Sequence, residues 1–99
     1  MIEQLEHRHA LRILLVLLEK GRIKSLTDLA QALGVKSIVA PSKRVWDLEK
    51  LGLIKVKMAE KPPLTMEIEL TPLGREAAKL VKRLDELLTR ARGQGGEAP

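Results

Sequence analysis

The chain has 99 residues and a mass of 11.0 kDa, which corresponds to one domain or to one domain with a terminal extension. The absence of Cys excludes disulfide scaffolds, thiolate zinc sites and cysteine nucleophiles, and no apolar run reaches the roughly 18 residues of a membrane span. The net charge of +5 points to an acidic partner, and we expect a soluble cytoplasmic protein without membrane attachment or signal peptide.

The first predicted element is a helix over residues 2–20 that ends at Gly21. Its second half, residues 10–18, is apolar on nearly all sides, so more than one of its faces has to be covered. We expect one face to meet the core of the domain and another to meet a second chain. Residues 22–24 could form a short strand.

Two further helices are predicted before residue 52. Ser25 is placed to cap the second helix through its hydroxyl, and Gly34 is placed to end it. The third helix ends at residues 51–52, and Pro41 must lie in its first turn because a proline deeper inside would break the hydrogen-bond ladder. Pro41 fixes the start of this helix only to within four residues.

Two alternating segments, residues 53–59 and 65–71, predict a β-hairpin. Apolar side chains alternate with lysines in the first segment and with glutamates in the second. If Val56 faces Ile68, the register places the lysines opposite the glutamates. The expected cross-strand ion pairs are Lys57 with Glu67 and Lys55 with Glu69.

Thr71 and Pro72 form the start of a last helix, with the cap and the first-position proline in order. This helix is predicted to run to about Arg92, and the polar, glycine-rich residues 93–99 are expected to be a disordered tail. Apolar residues recur along the helix at alternating spacings of four and three, which is the a/d pattern of a coiled coil. They are Leu73, Ala77, Leu80, Leu84, Leu87 and Ala91.

Three motifs in chain order resemble the prokaryotic or archaeal MarR, PadR and ArsR-like regulators. Leu29-Ala-Gln-Ala-Leu-Gly-Val35 resembles their positioning helix and turn. Leu48-Glu-Lys-Leu-Gly-Leu-Ile54 looks like the end of their recognition helix, and Leu70-Thr-Pro-Leu-Gly-Arg-Glu-Ala77 is similar to the entry to their C-terminal helix. The resemblance implies a mainly α fold with a small β-hairpin (α+β), a winged helix-turn-helix over residues 1–71. A coiled-coil-like dimerisation helix follows over residues 72–92.

The resemblance implies that the third helix reads base edges in the major groove of double-stranded DNA while basic side chains bind phosphates. Lys43 lies where these families usually place a major-groove contact. Arg44 is expected to bind a phosphate, and Lys61 at the wing tip to touch the backbone or the minor groove. Trp46 is either a structural anchor or a DNA contact. The predicted DNA-binding residues are Lys36, Ser37, Val39, Ala40, Lys43, Arg44, Trp46, Lys50 and Lys61.

The first and last helices present more apolar surface than a monomer of this length can bury, which predicts a two-fold homodimer. Such a dimer would offer two recognition helices to successive major grooves, about 34 Å apart. Whether a small-molecule effector binds is left open, although the cleft between these helices is where one would fit. The predicted interface consists of Ile2, Leu5, Leu73, Ala77, Leu80, Leu84, Leu87 and Ala91.

The resulting hypothesis is a homodimeric transcriptional regulator that binds specific DNA sequences, without catalysis, cofactor or metal. The sequence has no nucleophile elbow or phosphate loop, and His7 and His9 lie on different sides of a helix. Two alternatives are a winged helix that contacts protein in a larger assembly and a sequence-tolerant chromosomal protein. The lack of Asn, with 31% charged residues, is typical of thermophilic proteins.

Overall fold

The structure, a computed structural model, describes residues 9–58 and 66–95, with side chains through residue 91. Three strands in this part of the chain form one antiparallel sheet in the order β1-β3-β2. The arrangement is the predicted winged helix-turn-helix, with α2 and α3 as the two helices of the motif and β2 and β3 as the wing. The elements are α1 (Ala10–Lys20), β1 (Arg22–Ile23), α2 (Leu26–Leu33), α3 (Val39–Lys50), β2 (Ile54–Met58), β3 (Met66–Leu70) and α4 (Pro72–Gly95).

The first helix does not run continuously from residue 2 to residue 20, and that prediction is wrong. α1 begins at Ala10, directly after His9, whose backbone is left-handed with a φ of 71°. A left-handed residue interrupts a right-handed helix, so α1 and whatever precedes it cannot form one straight element. Residues 1–8 lie outside the described part of the chain.

The predicted helix boundaries around the turn between α2 and α3 are confirmed. The hydroxyl of Ser25 accepts a hydrogen bond of 3.0 Å from a backbone N–H in the first turn of α2, and Gly34 ends the helix with a φ of 75°. α3 begins at Val39, so Pro41 lies in its first turn, where its missing N–H removes no helical hydrogen bond. The hydroxyl of Ser37 accepts from the backbone N–H of Val39 at 3.1 Å and supports this start.

The core is aliphatic and surrounds α1, which contacts the other three helices of the described chain and β3. Pro41, Val45 and Leu48 are the buried residues of α3 and point into this core. Because they occupy one side of α3, the opposite side of the helix has to face outward. The other large, fully buried side chains are Ile13, Leu14, Leu17, Leu29, Ile54 and Ile68.

The wing has the predicted register but not the predicted ion pairs. Lys57 lies opposite Glu67, and Lys55 lies opposite Glu69. Within the described ranges, however, the cation within 4.0 Å of these glutamates is Arg22 of β1, whose guanidinium lies 3.8 Å from Glu67 and 4.0 Å from Glu69. β1 pairs with β3 on the edge that β2 leaves open, and its arginine reaches both carboxylates, so the two lysine pairs are wrong.

Close contacts join the end of α3 to the start of α4. The backbone N–H of Thr71 donates to the carbonyl of Leu53 at 3.1 Å, and the Thr71 hydroxyl donates to the carbonyl of Gly52 at 2.6 Å. The same hydroxyl accepts from the N–H of Gly74 at 3.0 Å, as expected for a helix cap. A Cβ at Gly74 would overlap the carbonyl group of Leu53, so only glycine fits at this position.

α4 is longer than predicted, because it continues to Gly95. Residues 93–95 of the expected disordered tail are therefore helical, and residues 96–99 lie outside the described part of the chain. The first half of α4 packs against α1 through the buried Gly74 and Ala78 and the half-buried Ala77 and Val81. All described side chains after Val81 are exposed, so the second half of α4 projects from the domain. None of the helices in the described ranges combines the length and apolarity that a membrane crossing requires.

Candidate nucleic-acid interface

The outward side of α3 carries a stripe of exposed side chains. Their spacings of four, three and four residues place them along one side of the helix. This side lies opposite the buried Pro41, Val45 and Leu48, so the core itself determines which residues point outward. We call these four residues the α3 stripe: Val39, Lys43, Trp46 and Lys50.

Lysines make the α3 stripe and its surroundings cationic. Lys43 and Lys50 are exposed on the helix, and Lys36 is exposed in the turn that leads into it. Between residues 36 and 50, four cationic side chains stand against two carboxylates. The predicted contacts Lys36, Lys43 and Lys50 therefore share one exposed, basic surface, together with the exposed Ser37.

The N-terminal tip of α3 is apolar and exposed. Val39 exposes 62% of its surface, Ile38 exposes 44%, and Ala40 is also exposed. Sequence reasoning missed Ile38, because the start of the helix was not fixed and Ile38 lies off the stripe on a helical wheel. At a helix start the preceding turn of side chains is absent, so a residue beside the stripe is uncovered as well.

Arg44 differs from the other predicted contacts because an acidic neighbour holds it. Its guanidinium Nη1 lies 3.4 Å from the carboxylate of Asp47, one turn further along α3, and 17% of its side chain is exposed. Ion pairs of this kind on a helix surface contribute only a few tenths of a kcal/mol. A phosphate could therefore compete with Asp47 for the guanidinium, but Arg44 is not presented as freely as the lysines.

Trp46 lies in the middle of the α3 stripe with 37% of its surface exposed. The covered part of the indole packs on the protein, and the remaining part is accessible to a partner. Because the chain contains no other Trp and no Tyr, its intrinsic fluorescence reports on this one position of the stripe.

The seam of α4 is mostly exposed in the isolated chain. Leu73, Leu80, Leu84 and Leu87 expose between 43% and 73% of their surface. Ala91 is exposed, whereas Ala77 is half-buried against the domain's own core. Leu88, beside the seam, exposes 56%. The domain thus leaves a row of leucines uncovered. Three further predicted contacts, Ile2, Leu5 and Lys61, lie outside the described residues.

A groove of about 310 Å³ opens between α1 and α4, where the sequence suggested room for an effector. Its lining combines apolar and oppositely charged side chains and contains no buried polar group aimed at a ligand. In residues 9–58 and 66–95 no cluster of three His, Asp or Glu side chains is suited to a metal ion. The groove is lined by Leu15, Leu18, Glu19, Lys82 and Asp85.

Solved structures that share this fold are described as transcriptional regulators. A transcriptional regulator homologue from Pyrococcus horikoshii OT3 is 22% identical with a TM-score of 0.71 over 93% of this chain and 88% of that one. A MarR-family regulator from Porphyromonas gingivalis W83 is 21% identical with a TM-score of 0.73, covering 89% and 84% of the two chains. The regulator ytfH from Salmonella typhimurium is 24% identical with a TM-score of 0.78, covering 94% and 81%. Neither a protein-family model nor a curated protein matches the chain in sequence. The structural likeness establishes the winged-helix fold of MarR-like regulators.

Proposed function

We propose that this chain binds double-stranded DNA with sequence specificity, as a homodimeric transcriptional regulator, and that α3 enters the major groove. The observation that carries the proposal is the α3 stripe, an exposed cationic surface on the second helix of a helix-turn-helix. In this fold that helix is the element whose dimensions suit the major groove. The regulators with the same fold support the proposal.

The electrostatics of the surface favour a polyanion. Lys36, Lys43 and Lys50 are exposed within one stretch of 15 residues, and no described carboxylate lies within 4.0 Å of them. Lysines at a phosphate backbone release condensed counterions, and this release supplies much of the affinity of DNA-binding proteins. On the wing, Lys55 and Lys57 are exposed while Arg22 lies against the neighbouring glutamates, so both lysines are available to the same backbone.

The dimer is proposed from the seam of α4. The exposed leucines of the projecting half-helix form an a/d pattern, which is covered when a second copy packs against it. A two-fold axis through these helices would carry two copies of the α3 stripe to successive major grooves, about 34 Å apart. The DNA site would then be palindromic or nearly so. Binding near a promoter would act sterically, by blocking the polymerase or by recruiting it.

Leu84→Glu together with Leu87→Glu converts the dimer into a monomer. The wild-type protein is expected to sediment with about twice the chain mass of 11.0 kDa, and the double variant with 11.0 kDa. Each buried leucine contributes about 1.5–3 kcal/mol, so four buried charges in place of four leucines weaken association by far more than a thousandfold. Sedimentation equilibrium at micromolar concentration measures both masses.

The matched control places the same number of glutamates away from the seam, with Lys79→Glu and Thr89→Glu. This control should remain dimeric. A wild-type mass of 11.0 kDa at micromolar concentration would contradict the dimer without touching the fold.

Selection from a pool of random duplexes of about 20 bp tests sequence specificity. A regulator should bind the recovered duplex at least about a thousandfold more tightly than a scrambled one at physiological salt. Tight binding with equal affinities would favour the sequence-tolerant chromosomal protein. No retention of any duplex would favour the alternative that the same surface contacts a protein.

A further inference from the structure

The α3 surface lacks the side chains that most often read bases. Bidentate readout in the major groove uses Arg or Lys at guanine and Asn or Gln at adenine. The chain contains no Asn, and all of its glutamines lie outside α3. The one arginine of α3, Arg44, is mostly covered and lies 3.4 Å from Asp47. Lysine at guanine is therefore the one bidentate-type contact that the α3 stripe can supply, and adenine readout by an amide is excluded for this helix.

The reading end of α3 is apolar instead. The first residues of a recognition helix are those that contact base edges. At this place the chain exposes Val39, Ile38 and Ala40, with 62% and 44% of Val39 and Ile38 open to solvent. Thymine is the one standard base with an apolar group in the major groove, its 5-methyl group, and aliphatic side chains pack against it. Burial of this methyl against Val39 would remove apolar surface of both partners from water.

Resting on the proposed DNA-binding function, we propose that the protein reads its site through contact of Ile38 and Val39 with 5-methyl groups of pyrimidines in the major groove. Lys43, one turn further along the stripe, adds the guanine or phosphate contact next to them. The chemistry recognised is the methyl group and not the rest of thymine. 5-Methylcytosine carries the same group at the same ring position, so binding also responds to cytosine methylation at the contacted positions.

Uracil substitution tests the methyl contact without changing base pairing. The probe is the labelled duplex recovered by selection from the random pool, compared with duplexes in which single thymines are replaced by uracil. At one or two positions in each half-site the affinity of the full-length protein should fall about fourfold, the effect of one methyl-sized group on burial. A cytosine placed at such a position should bind about fourfold more tightly when it carries a 5-methyl group.

Two variants at one position link the methyl group to the side chain. Val39→Ala should bind thymine and uracil duplexes with equal affinity, whereas Val39→Ile should retain the discrimination. Val39 is largely exposed, so both variants should keep the circular dichroism spectrum of the wild type. Tight binding of the recovered duplex by the wild type with the same affinity after every uracil substitution would overturn the methyl readout and leave the proposed function intact. Failure to bind any duplex would overturn both.

Discussion

Lys43→Glu together with Lys50→Glu reduces the affinity for a duplex by at least about a thousandfold, because the change replaces attraction by repulsion at both lysines of the α3 stripe. Both side chains are exposed and lie within 4.0 Å of no described carboxylate, so the fold should remain unchanged. If the two lysines contact phosphates, the slope of log affinity against log salt falls by about 0.9 for each lost contact. Fluorescence anisotropy with a labelled duplex measures both quantities.

The control for this prediction makes the same charge change on another element. Lys79→Glu with Lys82→Glu alters α4 and leaves the α3 stripe intact. If binding depended on net charge alone, both double variants would lose affinity equally. A loss confined to Lys43 and Lys50 assigns the contact to α3, and equal losses would contradict that assignment.

Gly74→Ala destabilises the protein by about 3 kcal/mol or more, although alanine normally stabilises a helix relative to glycine by about 1 kcal/mol. The added methyl group would overlap the carbonyl of Leu53. That carbonyl cannot move away easily because it also accepts the N–H of Thr71 at 3.1 Å. Relief requires α4 to shift off the end of α3, which breaks the contacts made by the Thr71 hydroxyl.

Urea denaturation followed by circular dichroism measures this effect, with Arg75→Ala as the neighbouring control. Arg75 is exposed, so its truncation should change the free energy of unfolding by less than about 0.5 kcal/mol. A Gly74→Ala protein as stable as the wild type would show that α4 does not approach Leu53 so closely.

Local patterns were sufficient to predict most of the elements, because each depends on residues near one another in the chain. Ser25 and Gly34 bound α2 through contacts within a few residues, and alternation alone set the register of β2 and β3. The outward side of α3 followed from helical spacing once Pro41 was placed in the first turn. The residues Val39, Lys43, Trp46 and Lys50 were predicted as contacts on this basis, and they lie on one exposed side.

The errors concern contacts between residues distant in sequence or effects of the backbone. Arg22 reaches Glu67 and Glu69 only because a two-residue strand pairs with β3, and two residues carry no periodicity. The glycine-rich residues 93–95 continue the helix, since glycine costs about 1 kcal/mol relative to alanine but does not block the helical hydrogen bonds. The left-handed backbone at His9 leaves no mark in the hydrophobic pattern.

The contact between Leu53 and Gly74 explains two of the sequence motifs. Each motif contains a glycine that looks like a simple helix terminator or helix interruption. In the structure Gly52 has a φ of 81° at the turn after α3, and Gly74 allows α4 to start against that turn. The pair of glycines therefore positions α4, and the leucine seam that it carries, relative to the α3 stripe.

The most direct test of DNA binding is a titration of the wild-type protein with a labelled duplex of about 30 bp at about 50 and 200 mM salt. Label anisotropy reports binding, and the emission of Trp46, the single tryptophan, reports on the α3 stripe. With six or more phosphate contacts, the affinity should fall by about a thousandfold between the two salt concentrations, and Trp46 emission should change on binding. No binding of duplexes from a random pool at the lower salt concentration would contradict the proposal that this protein acts on DNA.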